Sequence, residues 1–90
     1  MMPPVEPGQT LGLLGGGQLG RMFTLAARSM GYRVAVLAQH PDDPAAQVAD
    51  VPIIGAYDDV DRLRELAQRA VVLTTEFEHL DADAIDAACA

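Results

Sequence analysis

A cluster of glycines in the segment GGGQLG is the strongest chemical signal in this chain. Gly15, Gly17 and Gly20 fit the G-x-G-x-x-G spacing that nucleotide-binding folds place between a strand and a helix. Glycine lets the backbone turn tightly and lets an anion approach bare N–H groups at the start of a helix, where the macrodipole also favours negative charge. The segment therefore predicts a phosphate-binding loop, in which the side-chain amide of Gln18 is a further candidate contact. Several chemistries share this pattern, so it does not by itself identify the ligand.

Two carboxylates follow the last apolar run of the sequence, VVLTT. A carboxylate at the end of a strand can accept hydrogen bonds from sugar hydroxyls or from an amine. Glu76 is the stronger candidate for such a contact, whereas Glu78 remains open between a ligand contact and a solvated strand end.

An acidic residue that dinucleotide-binding folds require is missing from its expected place. Such folds hold a ribose hydroxyl with a carboxylate at the end of the second strand, roughly 20 residues past the glycines. That place holds Ala38, Gln39 and His40 here, and the first acids, Asp42 and Asp43, are better explained as loop and capping residues. An NAD(P)-binding Rossmann module therefore stays as the alternative interpretation.

Four short β-type runs, at residues 11–14, 33–38, 51–54 and 71–75, alternate with helical patterns. This alternation predicts parallel strands joined by right-handed crossovers. We expect an α/β, Rossmann-like three-layer domain over residues 10–90 with a parallel four-stranded sheet in the order 3-2-1-4, after a disordered leader over residues 1–9. Ligands of such sheets bind at the carboxyl ends of the strands where the winding reverses. The glycine segment and the segment that contains Glu76 meet at that point.

The first helix, which follows the glycines, has an apolar periodicity from Leu19 to Met30 and a glycine after its last position. We expect one apolar face to pack on the sheet, with Arg21, Thr24 and Arg28 on the solvent side. The inward set is Leu19, Met22, Phe23, Ala26, Ala27 and Met30.

Aspartates mark the starts of the remaining predicted helices. Asp43 is a candidate cap for a short helix through Ala49, and Asp81 for a last helix that runs to the end of the sequence. Asp58 and Asp59 offer caps to a helix whose inner side carries Val60, Leu63, Leu66 and Ala70.

The charge balance excludes several classes of partner. Thirteen acidic residues against six basic ones give a net charge of −7, which argues against binding to nucleic acid or to anionic membranes. All six basic residues are arginines, so lysine-based Schiff-base chemistry and a Walker A phosphate loop are both excluded.

No catalytic or metal-binding constellation is apparent in the sequence. His40 and His79 lack metal-ligand spacing, and Cys89, the only cysteine, has no basic neighbour and no partner for a disulfide. The N-terminus lacks the features of a signal peptide and no apolar run approaches the length of a membrane span, so we expect a cytoplasmic protein.

Five segments together carry a family resemblance: LGLLGGGQLGRM, GYRVAVL, PAAQVAD, IIGAYDD and TTEFEHL. From about Thr10 onward the chain resembles the N-terminal, pre-ATP-grasp domain of the N5-carboxyaminoimidazole ribonucleotide synthetases. The glycine segment and the TTEFE segment occur together in that family, so the pair is more specific than a lone glycine pattern.

The resemblance implies an ATP-dependent carboxylating ligase of de novo purine synthesis. Such enzymes use ATP, Mg²⁺ and bicarbonate to carboxylate the exocyclic amine of 5-aminoimidazole ribonucleotide, and they form homodimers. Position by position, Gly16, Gly17, Gln18 and Leu19 match the family's substrate-binding loop, and Glu76 matches its glutamate near the ribonucleotide. The loop would hold the 5′-phosphate region, and Glu76 would orient the ribose or the amine.

The resemblance also implies that ATP and Mg²⁺ are bound outside this chain. Family members hold them in central and C-terminal ATP-grasp domains, so we expect the 90-residue chain to be a catalytically silent fragment. The N-domain of another ATP-grasp enzyme remains an alternative, although a glycinamide ribonucleotide transformylase would be expected to carry a G-x-G-E loop. A non-catalytic interaction domain is a third possibility.

Overall fold

The computed structural model describes residues 6–75, which form a parallel four-stranded sheet with helices on both faces. The strands are β1 (Thr10–Leu14), β2 (Arg33–Ala38), β3 (Val51–Ile54) and β4 (Val72–Thr75), and the helices are α1 (Gln18–Ser29) and α2 (Val60–Arg69). The strand order is β3-β2-β1-β4 and every pairing is parallel, which confirms the predicted fold. All four strands therefore end at the same edge of the sheet.

The central strand β2 divides its side chains between two hydrophobic clusters, one on each face of the sheet. Ala35 and Leu37 face a cluster with α2, and Val34, Val36 and Ala38 face a cluster with α1; all five are fully buried. A strand covered on both faces needs apolar residues at every position, which explains the continuous run in VAVLA.

The buried face of α1 shares only Ala27 and, in part, Phe23 with the predicted inward set. Gly20, Thr24 and Ala27 face the sheet, whereas Met22 and Met30 are 60% and 63% exposed. Leu19 and Ala26 are also exposed, and Phe23 packs against the cluster only in part.

The reason for this orientation is the close approach of α1 to β1. A Cβ on Gly20 would lie 2.6 Å from the Gly15 carbonyl oxygen and 3.0 Å from the Leu13 side chain, so only small residues fit along the contact. The buried Thr24 satisfies its hydroxyl by donating to the Gly20 carbonyl at 2.7 Å. Apolar periodicity identified the helix correctly, but the size of the side chains decided which face packs.

At the amino edge of the sheet, Asp50 links β2, β3 and α1. Its carboxylate accepts the Val34 N–H at 2.8 Å and lies 3.4 Å from the Arg28 guanidinium, which also donates to the Val48 carbonyl at 3.0 Å. Arg28, predicted to be solvated, therefore fastens the last turn of α1 to the loop before β3.

The other helical predictions are partly confirmed. Asp59 caps α2, because its carboxylate accepts the N–H groups of Asp61 and Arg62 at 3.0 and 3.3 Å. Leu63 and Leu66 are buried as predicted, Val60 packs against their cluster and Ala70 follows the last turn.

The short helix after β2 is a single 3₁₀ turn, Ala46–Val48, and the prediction that Asp43 caps it is wrong. No side chain caps that turn, and the Asp43 carboxylate instead accepts the His40 N–H at 3.2 Å.

The chain is already structured before Thr10. Residues 6–9, which the sequence places in a disordered leader, form a turn whose Gly8 N–H donates to the Gly31 carbonyl at 2.9 Å, while the Gln9 carbonyl accepts the Arg33 N–H at 3.0 Å. The last predicted helix, from Asp81, lies outside the described residues.

Candidate functional site

The glycine loop connects β1 to α1 at the carboxyl edge of the sheet, where the winding reverses. Gly15 has a φ of +133°, a backbone conformation that favours glycine, and its N–H donates to the Leu37 carbonyl at 3.0 Å. This hydrogen bond continues the β1–β2 pairing one residue beyond Leu14, so the glycine loop begins at the end of both strands.

Both the N–H and the carbonyl group of Gly16 form hydrogen bonds. Its carbonyl accepts the Ala45 N–H at 2.9 Å, and its own N–H donates to the Tyr57 hydroxyl at 3.1 Å. Ala45 lies in the β2–β3 connection and Tyr57 in the loop between β3 and α2. Two later segments of the chain therefore fix the position of the glycine loop.

Gly16 also has no space for a side chain. A Cβ built on Gly16 would lie 2.7 Å from the Ala38 Cβ and 2.8 Å from both the Cβ and a carboxylate oxygen of Asp43. Packing alone therefore requires glycine at this position, in addition to any need for a ligand to approach the backbone.

Helix α1 starts at this loop, with Gly17 as its N-cap residue. Glycine has no side chain that could cap the helix, and the first turn of α1 contains no acidic residue. Backbone N–H groups at a helix N-terminus form a favourable site for an anion. The side chains of Gln18 and Leu19 are exposed on the same turn, where a ligand can contact them.

Two charged side chains lie near the loop. Arg21, on the first turn of α1, places Nη1 3.5 Å from the Pro44 carbonyl, and the Asp43 carboxylate faces Gly16. The contact with Pro44 holds the Arg21 guanidinium beside the β2–β3 loop.

The fifth predicted site residue, Glu76, lies outside the described residues, as do Glu78, His79 and Cys89. The end of β4 is nonetheless clear, because Thr75 is in register with Leu14, the residue before the glycine loop. The chain therefore leaves β4 at the same edge as the four loop residues Gly16, Gly17, Gln18 and Leu19.

Tyr57 is the residue of this site that the sequence analysis missed. It lies in the loop after β3, three residues past Ile54, and thus at the same edge as the glycine loop. The signal was available in the segment IIGAYDD, because a tyrosine just beyond a predicted strand can reach the ligand edge of a parallel sheet.

In a dinucleotide-binding fold an acidic residue lies at the end of the second strand, and in this chain other residues occupy that position. Ala38 is fully buried and Gln39 and His40 are exposed, while Asp43 is part of the turn that it closes with His40. Asp43 thus has the loop role predicted from the sequence.

Within residues 6–75, no group of three or more histidine, cysteine, aspartate or glutamate side chains is placed to hold a metal ion. Neither α1 nor α2, the helices in this range, is long and apolar enough to cross a membrane.

Comparison with known proteins assigns the family. Residues 8–89 match the model of the ribonucleotide synthetase preATP-grasp domain. The chain is 46% identical over 81 residues to the N5-carboxyaminoimidazole ribonucleotide synthase of Bacillus subtilis, an alignment that covers 90% of this chain and 21% of that protein.

Solved structures show the same relationship. The N5-carboxyaminoimidazole synthetase of Staphylococcus aureus, in complex with ADP, superposes with a TM-score of 0.88 at 41% identity, covering 94% of this chain and 23% of that one. The Aspergillus clavatus enzyme, in complex with ADP and 5-aminoimidazole ribonucleotide, gives a TM-score of 0.78 at 36% identity, covering 88% and 21%. The chain spans about a fifth of the length of these relatives.

These matches confirm the resemblance carried by the glycine and TTEFE segments. The chain therefore belongs to the ribonucleotide synthetase preATP-grasp family, and the members to which it is similar are N5-carboxyaminoimidazole ribonucleotide synthases, ATP-grasp ligases of purine biosynthesis.

Proposed function

We propose that this domain binds 5-aminoimidazole ribonucleotide for an ATP-dependent carboxylation of its exocyclic amine. The observation that carries the proposal is the start of α1 at a glycine loop that neighbouring loops hold in place, at the switch point of the sheet. The relative from Aspergillus clavatus, solved with this ribonucleotide and ADP, supports the choice of ligand.

The loop residues Gly16, Gly17, Gln18 and Leu19 are proposed to receive the 5′-phosphate region. Backbone N–H groups at the start of α1 donate to the phosphate oxygens, with the macrodipole adding to the attraction. Glu76, the next residue in the sequence after β4, is proposed to accept a hydrogen bond from the ribose or the amine. Held at both ends, the ribonucleotide presents its amine in one orientation, which lowers the entropic part of the barrier to carboxylation.

ATP, Mg²⁺ and bicarbonate are the other reactants that we propose for the complete enzyme. The chain has no lysine to contact a nucleotide phosphate and spans about a fifth of the length of its relatives, so we assign no step that involves ATP to this domain. We expect ATP and Mg²⁺ to be bound by residues outside this chain and the chain alone to be inactive.

We also expect a homodimer, which sedimentation at several protein concentrations would test.

A domain exchange tests the function directly. The matching N-terminal segment of the Bacillus subtilis relative, 46% identical to this chain, is replaced by this chain, and ATP-dependent consumption of 5-aminoimidazole ribonucleotide is measured. We expect a carboxylating hybrid, and we expect Glu76→Gln to weaken its use of the ribonucleotide. A folded hybrid that hydrolyses ATP but never carboxylates the ribonucleotide would contradict the proposal.

An amide NMR titration of the chain itself distinguishes the dinucleotide alternative. We expect the ribonucleotide to shift the amide signals of Gly16, Gly17 and Gln18, and NAD to leave them unchanged under the same conditions. Shifts with NAD alone would instead favour a dinucleotide-binding module.

A further inference from the structure

Tyr57 is held in a fixed position over the carboxyl edge of the sheet. Before it, the Gly55 N–H donates to the Ala38 carbonyl at 2.9 Å, and after it, the Asp59 N–H donates to the Ala56 carbonyl at 3.1 Å. The half-buried ring packs against the hydrophobic cluster that β1 and β2 share with α2. The loop and the core together therefore determine where the phenol oxygen lies.

That oxygen accepts the N–H of Gly16 at 3.1 Å, across 41 positions of the sequence. Gly16 is buried, and a buried N–H without an acceptor costs about 1 to 3 kcal/mol. A phenylalanine would retain the packing of the ring but would remove this acceptor. The hydroxyl of Tyr57, rather than its ring, is thus the group that bears on the glycine loop.

The hydrogen bond lies just before the start of α1. Tyr57 holds the N–H of Gly16 and Ala45 holds its carbonyl at 2.9 Å, so both peptide groups that lead into Gly17 have defined orientations. The direction of the first N–H groups of α1 depends on these peptide groups, because they lead directly into Gly17, the N-cap residue of the helix.

We propose that Tyr57 is a positioning residue of the ribonucleotide site, which acts through Gly16 to aim the N–H groups of the helix start at the 5′-phosphate. This inference rests on the proposed function and deepens it. It links the β3–α2 loop to phosphate recognition, although Tyr57 itself need not contact the ligand.

The test compares Tyr57→Phe with Tyr32→Phe in amide NMR titrations of the chain. Tyr32 precedes β2 at the opposite edge of the sheet, so its variant removes the same hydroxyl group far from the loop. The ligands are 5-aminoimidazole ribonucleotide and its phosphate-free riboside. Titrating the signals of the folded state measures affinity separately from any loss of stability.

We expect Tyr57→Phe to weaken binding of the ribonucleotide about five- to tenfold, the loss of roughly one hydrogen bond. Binding of the riboside should change less than twofold, and Tyr32→Phe should leave both affinities unchanged. The Gly16 amide proton should also exchange faster with solvent in the Tyr57 variant alone.

Unchanged ribonucleotide affinity in Tyr57→Phe, or an equal loss for both ligands, would overturn the inference while leaving the proposed function intact. A wild-type chain that binds neither ligand would overturn the proposed function, and the role of Tyr57 with it.

Discussion

Gly16 and Asp43 are in such close contact that a Cβ added to the glycine would lie 2.8 Å from a carboxylate oxygen of the aspartate. The contact joins the glycine loop to the β2–β3 loop, and the Ala38 Cβ closes the same space at 2.7 Å. The glycine loop is therefore a packed part of the domain as well as a candidate ligand site.

Substituting Gly16 by alanine should consequently lower stability before any ligand is added. We expect Gly16→Ala to reduce the free energy of unfolding by about 1 to 3 kcal/mol, because the new methyl group has no space. Urea unfolding followed by circular dichroism measures this. A change of less than about 0.5 kcal/mol in Gly16→Ala would argue against the tight contact at Gly16.

The orientation of α1 predicts opposite outcomes for the same change at adjacent positions. Ala27 is buried against the sheet and Ala26 is exposed. We expect Ala27→Leu to destabilise the chain by about 1 to 3 kcal/mol through overpacking, and Ala26→Leu to change its stability by less than about 0.5 kcal/mol. Thermal melts of the two variants compare them. Comparable destabilisation by the two substitutions would instead support the face that the apolar periodicity predicted, which contains both alanines.

Removing the Asp50 carboxylate should loosen the amino edge of the sheet. Asp50→Ala leaves the Val34 N–H and the Arg28 guanidinium without this acceptor, so we expect a loss of about 1 to 3 kcal/mol in urea unfolding. Asp61→Ala removes a carboxylate that is 79% exposed and forms a long ion pair of 3.7 Å with Arg64. We expect it to lower the free energy of unfolding by less than about 0.5 kcal/mol. Similar losses would show that Asp50 acts only as a surface charge.

The capping of α2 can be tested at two neighbouring aspartates. Asp59→Ala should destabilise the chain by about 1 kcal/mol, because the N–H groups of Asp61 and Arg62 lose their acceptor, whereas Asp59→Asn should retain most of the stability. Asp58→Ala, at the preceding exposed position, should have little effect in the same unfolding measurement. A larger loss of stability in Asp58→Ala than in Asp59→Ala would show that the helix is capped at Asp58 and starts one residue earlier.

The sequence by itself determined the order of the elements and the edge at which the site lies. Strand-like runs alternating with helical periodicity predict parallel strands with right-handed crossovers, and the predicted order β3-β2-β1-β4, one of the common orders of such sheets, is the one that the structure shows. The glycine spacing likewise located the loop between β1 and α1, since the positive φ of Gly15 and the close contacts at Gly16 and Gly20 leave few alternatives to glycine. These features are local, or follow from the handedness of the chain.

Only the tertiary structure decided which face of α1 packs and which distant side chain holds the loop. Apolar periodicity contains no information about how closely α1 approaches the sheet. The approach is close at Gly20, so the small residues Gly20, Thr24 and Ala27 are buried there and the larger methionines are not. The hydrogen bond from Gly16 to Tyr57 joins residues 41 positions apart. It can form only after the β1–β2 and β2–β3 connections have brought the ends of β1 and β3 to the same edge of the sheet. Packing volume and long-range hydrogen bonding depend on residues that meet in space, and for that reason they could not be inferred from local sequence pattern.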